Sequence, residues 1–183
     1  MRNKLMLAIF LGGFLLFGCA TKEIKTGPGG NLPKPQSMDI DDNGVKEIIK
    51  VEDDTVEGVP GFVVTVVRPD KKKEYPIAIE GNFIKLDLVD LGLEGEKDKH
   101  IAIFYRNDID ESDNLVIYRL SNDRLIRIFA TSSICGMDMD FSSVLARVKV
   151  DKPICIEDKC YCAGQPNWET WVWTGKQFIR ELR

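Results

Sequence analysis

The densest group of metal-binding atoms lies in Asp39-Ile40-Asp41-Asp42-Asn43-Gly44-Val45-Lys46-Glu47. Side-chain oxygens of Asp39, Asp41, Asn43 and Glu47 fall at positions one, three, five and nine of this loop. The carbonyl of Val45 supplies position seven, and Gly44 at position six permits a sharp turn. A hard cation such as Ca²⁺ takes six to eight oxygens at flexible geometry, and this spacing wraps oxygens around one point. A helix-flanked calcium loop would need Glu at position twelve. That residue is Lys50, and Ile48-Ile49-Lys50-Val51 reads as a strand. The plain alternative is an acidic solvated turn. Two further acidic groups, Asp108/Asp110/Ser112 and Asp138/Asp140/Ser142, lack the glycine.

The loop from Asp39 to Glu47 resembles the calcium loops of FG-GAP or VCBS-type repeats. There Asp-x-Asp-x-Asp-Gly-x-x-Asp precedes a strand. The resemblance covers about 14 residues well. It implies a calcium ion held by Asp39, Asp41, Asn43, Val45 and Glu47.

The amino-terminal segment has a second chemistry. Arg2 and Lys4 precede an apolar run from Leu5 to Phe17, which ends in Leu16-Phe17-Gly18-Cys19. A basic start, a short apolar stretch and small Gly18 before a cleavage point make a secretory signal. The run is shorter than the roughly 20 apolar residues needed to span a bilayer. The Leu-x-Gly-Cys ending resembles the lipobox of bacterial lipoproteins. That resemblance implies removal of residues 1–18 and acylation of Cys19, with two or more acyl chains giving stable anchoring. In Gram-negative lipoproteins the absence of Asp after the cysteine, here Ala20, implies delivery to the outer membrane, facing the periplasm or the surface. Residues 20–37, ATKEIKTGPGGNLPKPQS, are rich in Pro and Gly and poor in large apolar side chains. They read as a flexible tether. Residues 38–183 then form a single folded domain.

The whole chain has net charge −4. Loss of Arg2 and Lys4 leaves −6, and setting aside the basic tether leaves −8 on the domain from Met38. Such a domain repels phosphate backbones, so nucleic acid is not an expected partner.

Four cysteines remain after Cys19: Cys135, Cys155, Cys160 and Cys162. Export places them in an oxidising compartment, where disulfides are the default. Cys155-Ile156-Glu157-Asp158-Lys159-Cys160 reads as a hairpin with the two cysteines facing each other, which leaves Cys162 for Cys135. Four cysteines allow three connectivities, and a Cys₄ metal site is the rival, although paired Cys-x-x-Cys arms are missing. Trp171 and Trp173 alternate onto one strand face. Core packing is the commoner role for such residues, and a platform for a sugar or peptide the rarer one.

The residues do not compose a catalytic set. The one histidine, His100, reads as an exposed strand-end residue after Lys97-Asp98-Lys99. There is no Gly-x-Ser-x-Gly elbow and no Gly-x-x-x-x-Gly-Lys phosphate loop. Lys71-Lys72-Lys73 reads as a solvated hairpin tip. The expectation is a non-enzymatic binding or structural module of the cell envelope, contacting the membrane through its lipid and another envelope protein or a glycan. The alternative is a small envelope hydrolase using carboxylates, although no spacing singles out a pair.

These residues must be positioned by strands. From Met38 the apolar period is close to two, in short β-branched and aromatic runs separated by turn chemistry. Units beginning near Met38, Leu86 and Met137, each expected to open with an Asp-rich loop, recur at about 50 residues, within the range of propeller blades. The predicted fold is all-β: an antiparallel meander of about three blade-like units, as an open propeller or a sandwich- or barrel-like stack.

Overall fold

The computed structural model describes residues 32–93, 98–133, 138–142, 147–152, 154–156, 159–161 and 167–181. Its architecture is all-β and antiparallel throughout.

Alternation builds the first sheet. β2 (Glu47–Val56) buries Glu47, Ile49 and Val51, and β3 (Val59–Arg68) buries Phe62, Val64, Val66 and Arg68. A side chain on every second residue faces inward because successive Cβ atoms point to opposite faces. Glu57 and Gly58 join the two strands at φ 51° and 87°. Two left-handed residues match the right-handed twist of a tight hairpin. β1 (Gln36–Met38) and β4 (Lys73–Glu80) complete a sheet of order β1-β2-β3-β4. Pro76 lies on β4, an edge strand, where its missing N–H is tolerated.

The second sheet repeats the pattern with β5 (Asn82–Asp90), β6 (Lys99–Arg106), β7 (Asp113–Ser121) and β8 (Arg124–Ser133), in chain order. Asn122 and Asp123 turn β7 into β8 at φ 49° and 57°. The third sheet has the order β14-β13-β10-β9, from β9 (Asp138–Ser142), β10 (Arg147–Asp151), β13 (Trp168–Trp173) and β14 (Phe178–Arg180). A separate hairpin, β11 (Ile154–Ile156) with β12 (Lys159–Tyr161), is inserted between β10 and β13.

The second sheet is central. On β6 the residues from His100 to Phe104 are all buried. Ile101 and Ile103 enter a core shared with the first sheet, while Ala102 and Phe104 enter one shared with the third. A strand covered on both faces reads as a continuous apolar run, not an alternating one. At the first seam Phe62 packs edge-on against Phe83 and Tyr105, at 5.3 and 6.2 Å. At the second, Phe129 packs edge-on against Trp171 and Phe178, both at 5.5 Å.

The expected three blade-like units are therefore present, as sheets beginning at Gln36, Asn82 and Asp138. Among the described residues none of these sheets closes into a barrel. Their expected Asp-rich opening loops hold only for the first unit. Leu86–Asp90 lies within β5 and Asp138–Asp140 within β9, because extended pairing with β6 and β10 claims those backbones. Part of the expected tether belongs to the fold. Gln36 and Ser37, read as tether, pair with Ile49 and Ile48, and Leu32 packs on the first core.

Gly81 links the first two sheets at φ 112°, and a Cβ there would sit 2.2 Å from the Arg106 carbonyl oxygen. Gly175, at φ 86°, has open space around it. Gly175→Ala is expected to cost only the left-handed penalty of about 1–2 kcal/mol. Gly81→Ala adds a backbone collision and should cost clearly more, read from urea unfolding of both variants.

Candidate functional site

The loop Asp39–Lys46 connects β1 to β2, and its own polar groups close it. Asp39 accepts from the amides of Asn43 and Gly44 through its two carboxylate oxygens, at 3.0 and 2.8 Å. Asn43 Oδ1 accepts from the Val45 amide at 2.7 Å. Asp42 and Gly44 take left-handed φ values of 50° and 85°. Nothing lies within 4 Å of a Cβ on Gly44, so backbone conformation, not space, calls for glycine there.

Ile40 pins the closed loop to both neighbouring sheets. Its side chain is fully buried, and its amide donates to Glu47 Oε2 at 2.9 Å. Its carbonyl accepts from the Lys99 amide on β6 at 2.7 Å. The fold brings carboxylate oxygens of Asp39, Asp41 and Glu47 within 4.8 Å of one another, the one acidic triad of this kind among the described residues.

A protein cation shares this site. Arg68 is the last residue of β3, in phase with Phe62, Val64 and Val66, so alternation turns it inward beside Glu47. Its guanidinium lies 3.0 Å from Asp41, 3.4 Å from Glu47, 3.7 Å from Asp70 and 2.9 Å from Asp123. Asp123 comes from the β7–β8 turn, so Arg68 ties the first sheet to the central one. Lys71 and Lys73 also reach Asp123, the latter at 3.8 Å. The lysine tip is thus a bridge to the next sheet as well as a solvated turn.

The charges follow from burial. Desolvation pushes the Glu47 carboxyl up, and Asp41 adds to it, while the Ile40 amide and Arg68 pull it down. Burial works against the Arg68 charge, but Asp41, Glu47, Asp70 and Asp123 outweigh it and hold the guanidinium firmly protonated. The hydrogen bond from Lys71 holds Asp123 below the usual carboxylate range.

Chemically, the site offers hard oxygens only, which suits a hard divalent cation. Asp41 Oδ1 is buried without a hydrogen-bond partner. Arg68 competes, because it already holds oxygens of Asp41 and Glu47. A divalent ion would enter against the guanidinium charge, which lowers its affinity. A glycosidase role for this carboxylate pair fails on access, since Glu47 has no exposed surface.

The remaining candidates divide. Asp108 accepts from the Asn82 side chain at 2.6 and 2.8 Å, and Asp110 from Ser112. Those carboxylates are spent on shaping the loop. Asp138 and Asp140 lie on a strand. Cys155 pairs with Cys160 in the β11–β12 register, the expected hairpin alignment. Cys19, Cys135 and Cys162 lie outside the described residues. Trp171 and Trp173 are part-buried against the second core, Trp171 on Phe129 and Trp173 on Phe178. Such packing is the core role. His100 corrects an expectation: it is 1% exposed, not an exposed strand end, because β6 is covered on both faces.

Arg68 and Asp123 are the members of the site that the sequence reading missed. A signal existed for Arg68, a charged residue in the apolar phase of β3. None existed for Asp123, which is 55 residues away. Comparisons with protein-family models, curated proteins and solved structures find no match for this chain.

Removing one partner of a buried ion pair leaves the other charge uncompensated, at about 3–5 kcal/mol. Arg68→Met should therefore destabilise the domain by about that much. Asp123→Asn should cost less, because Asp123 is 30% exposed and solvent screens its loss. Urea unfolding of the two variants measures the difference.

Proposed function

We propose that this protein is a lipid-anchored, non-catalytic binding or structural module of the bacterial cell envelope, with calcium held at its first loop. What supports the calcium reading is one observation: the self-closed loop carrying Asp39, Asp41 and Glu47 is pinned to two sheets at once. A cation there would brace the first sheet against the central one. Asn43 and the Val45 carbonyl would complete the oxygen set.

Cys19 would carry the acyl chains. Residues 20–31 of the expected tether lie outside the described residues, and Leu32 already packs on the first core. The surface of an acidic domain suits another envelope protein or a glycan, and disfavours nucleic acid. In a Gram-negative cell the anchor would sit in the outer membrane. Disulfides Cys155–Cys160, across the β11–β12 hairpin, and Cys135–Cys162 would stabilise the domain. The latter closes a 28-residue loop, for which chain entropy gives roughly 3.5 kcal/mol.

The calcium reading is tested by thermal melts of a soluble form starting after Cys19, with and without calcium. Binding in the millimolar range is expected, with stabilisation of about 1.4 kcal/mol at tenfold excess over the dissociation constant. Mg²⁺ should substitute poorly, and Asp41→Ala should abolish the calcium shift. Superimposable wild-type melts would reduce the loop to an acidic turn. Anchoring is tested separately: Cys19→Ser should move the protein from the detergent phase to the soluble fraction or block its processing. Non-reducing peptide mapping checks the disulfides, and a 135–155 link would overturn the pairing.

A further inference from the structure

His100 takes no part in the site above. Its ring is 1% exposed, and neither Nδ1 nor Nε2 has a side-chain hydrogen-bond partner, while the Val89 backbone on β5 lies close enough to favour the protonated form. Alternation along β6 places it on the face of Ala102 and Phe104, toward the third sheet. Leu91 and Leu93, both fully buried, belong to the same core. A neutral imidazole is tolerated there. An imidazolium there is a buried cation that no carboxylate bonds directly, which is expensive unless something moves.

We propose that His100 is an acid-sensitive latch, whose protonation loosens the end of the central sheet where β5 pairs with β6. The acids nearest to it are already engaged elsewhere. Asp90 on β5 already binds the Gly92 amide at 2.9 Å and Lys99 at 3.4 Å. Asp98 is ion-paired at 3.7 Å with Arg119 on β7, which carries its own positive charge onto this face. Lys99 on β6 adds a like charge. On the third sheet, Glu169 of β13 and Arg180 of β14 are paired with each other at 3.0 Å. β10 presents Val148 and Val150. Protonation therefore has to pull Asp98 away from Arg119 or expose the ring.

The sign follows from burial. Desolvation draws His100 below its ordinary range, and the Val89 backbone, Asp98 and Asp90 oppose it more weakly. Below the unfolded value of about 6.5 the unfolded chain binds the proton first, so stability falls with pH until the folded value is passed. Glu47 and Asp98, both raised by burial, give the opposite slope. A variant comparison isolates the histidine.

His100 is the chain's one histidine, so its imidazole resonance in untagged, detergent-solubilised full-length protein is unambiguous. The expected result is proton uptake below the ordinary histidine range, accompanied by faster amide exchange in β5 and β6 than in β2 and β3. Against His100→Gln, the wild-type unfolding constant should rise up to about tenfold more per pH unit below 6.5. An imidazole titrating at about 6.5 with unchanged exchange would overturn the latch. Parallel pH profiles for wild type and variant would do the same. Should His100→Gln not fold, the resonance and exchange measurements on the wild type decide alone.

Discussion

A single buried guanidinium holds this fold in register. Arg68 is 3% exposed and contacts carboxylates from four places: the β1–β2 loop, the start of β2, the β3–β4 turn, and the β7–β8 turn of the next sheet. Taking such a charge out of water costs several kcal/mol, and only surrounding opposite charge makes that tolerable. The cluster is therefore all-or-none. With the acids in place the cation is stable; without them neither it nor Glu47 can stay buried. Such a group adds little net stability compared with apolar packing, but it penalises any arrangement in which the first two sheets are misaligned.

The other features of the first seam follow from that alignment. Ile40 can give its amide to Glu47 and its carbonyl to Lys99 because Arg68 fixes where Glu47 sits. Phe62 then meets Phe83 and Tyr105 edge-on. Gly81 allows the chain to pass from one sheet to the next against the Arg106 carbonyl. The second seam works differently. It relies on aromatic packing of Phe129, Trp171 and Phe178, and its buried histidine, His100, has no side-chain partner. One seam is an ionic lock and the other an apolar contact with a pH-sensitive weak point.

The same chemistry serves the loop in two ways. Three carboxylates around one point would suit a divalent cation, and Arg68 supplies part of that positive charge from within the chain. The loop closes on its own hydrogen bonds, and a divalent ion there would meet the Arg68 charge.

Local rules determined much of this from the sequence. Alternation at period two gave the strands, since a residue's face depends only on its position along the strand. Two-residue turns at Glu57-Gly58 and Asn122-Asp123 fixed hairpin registers for equally local reasons. The spacing of Asp39, Asp41 and Glu47 carried the acidic triad, because all three lie within one loop and the strand it enters. Tertiary structure alone decided the rest. β1 and β9 have no apolar run of their own and become strands only by pairing with β2 and β10. His100 looked like an exposed strand end, and coverage of β6 on both faces buried it. Asp123 joins Arg68 across 55 residues, a separation at which no periodicity or motif carries information. The sequence could place charges on faces, but which face meets which sheet is settled only when the sheets stack.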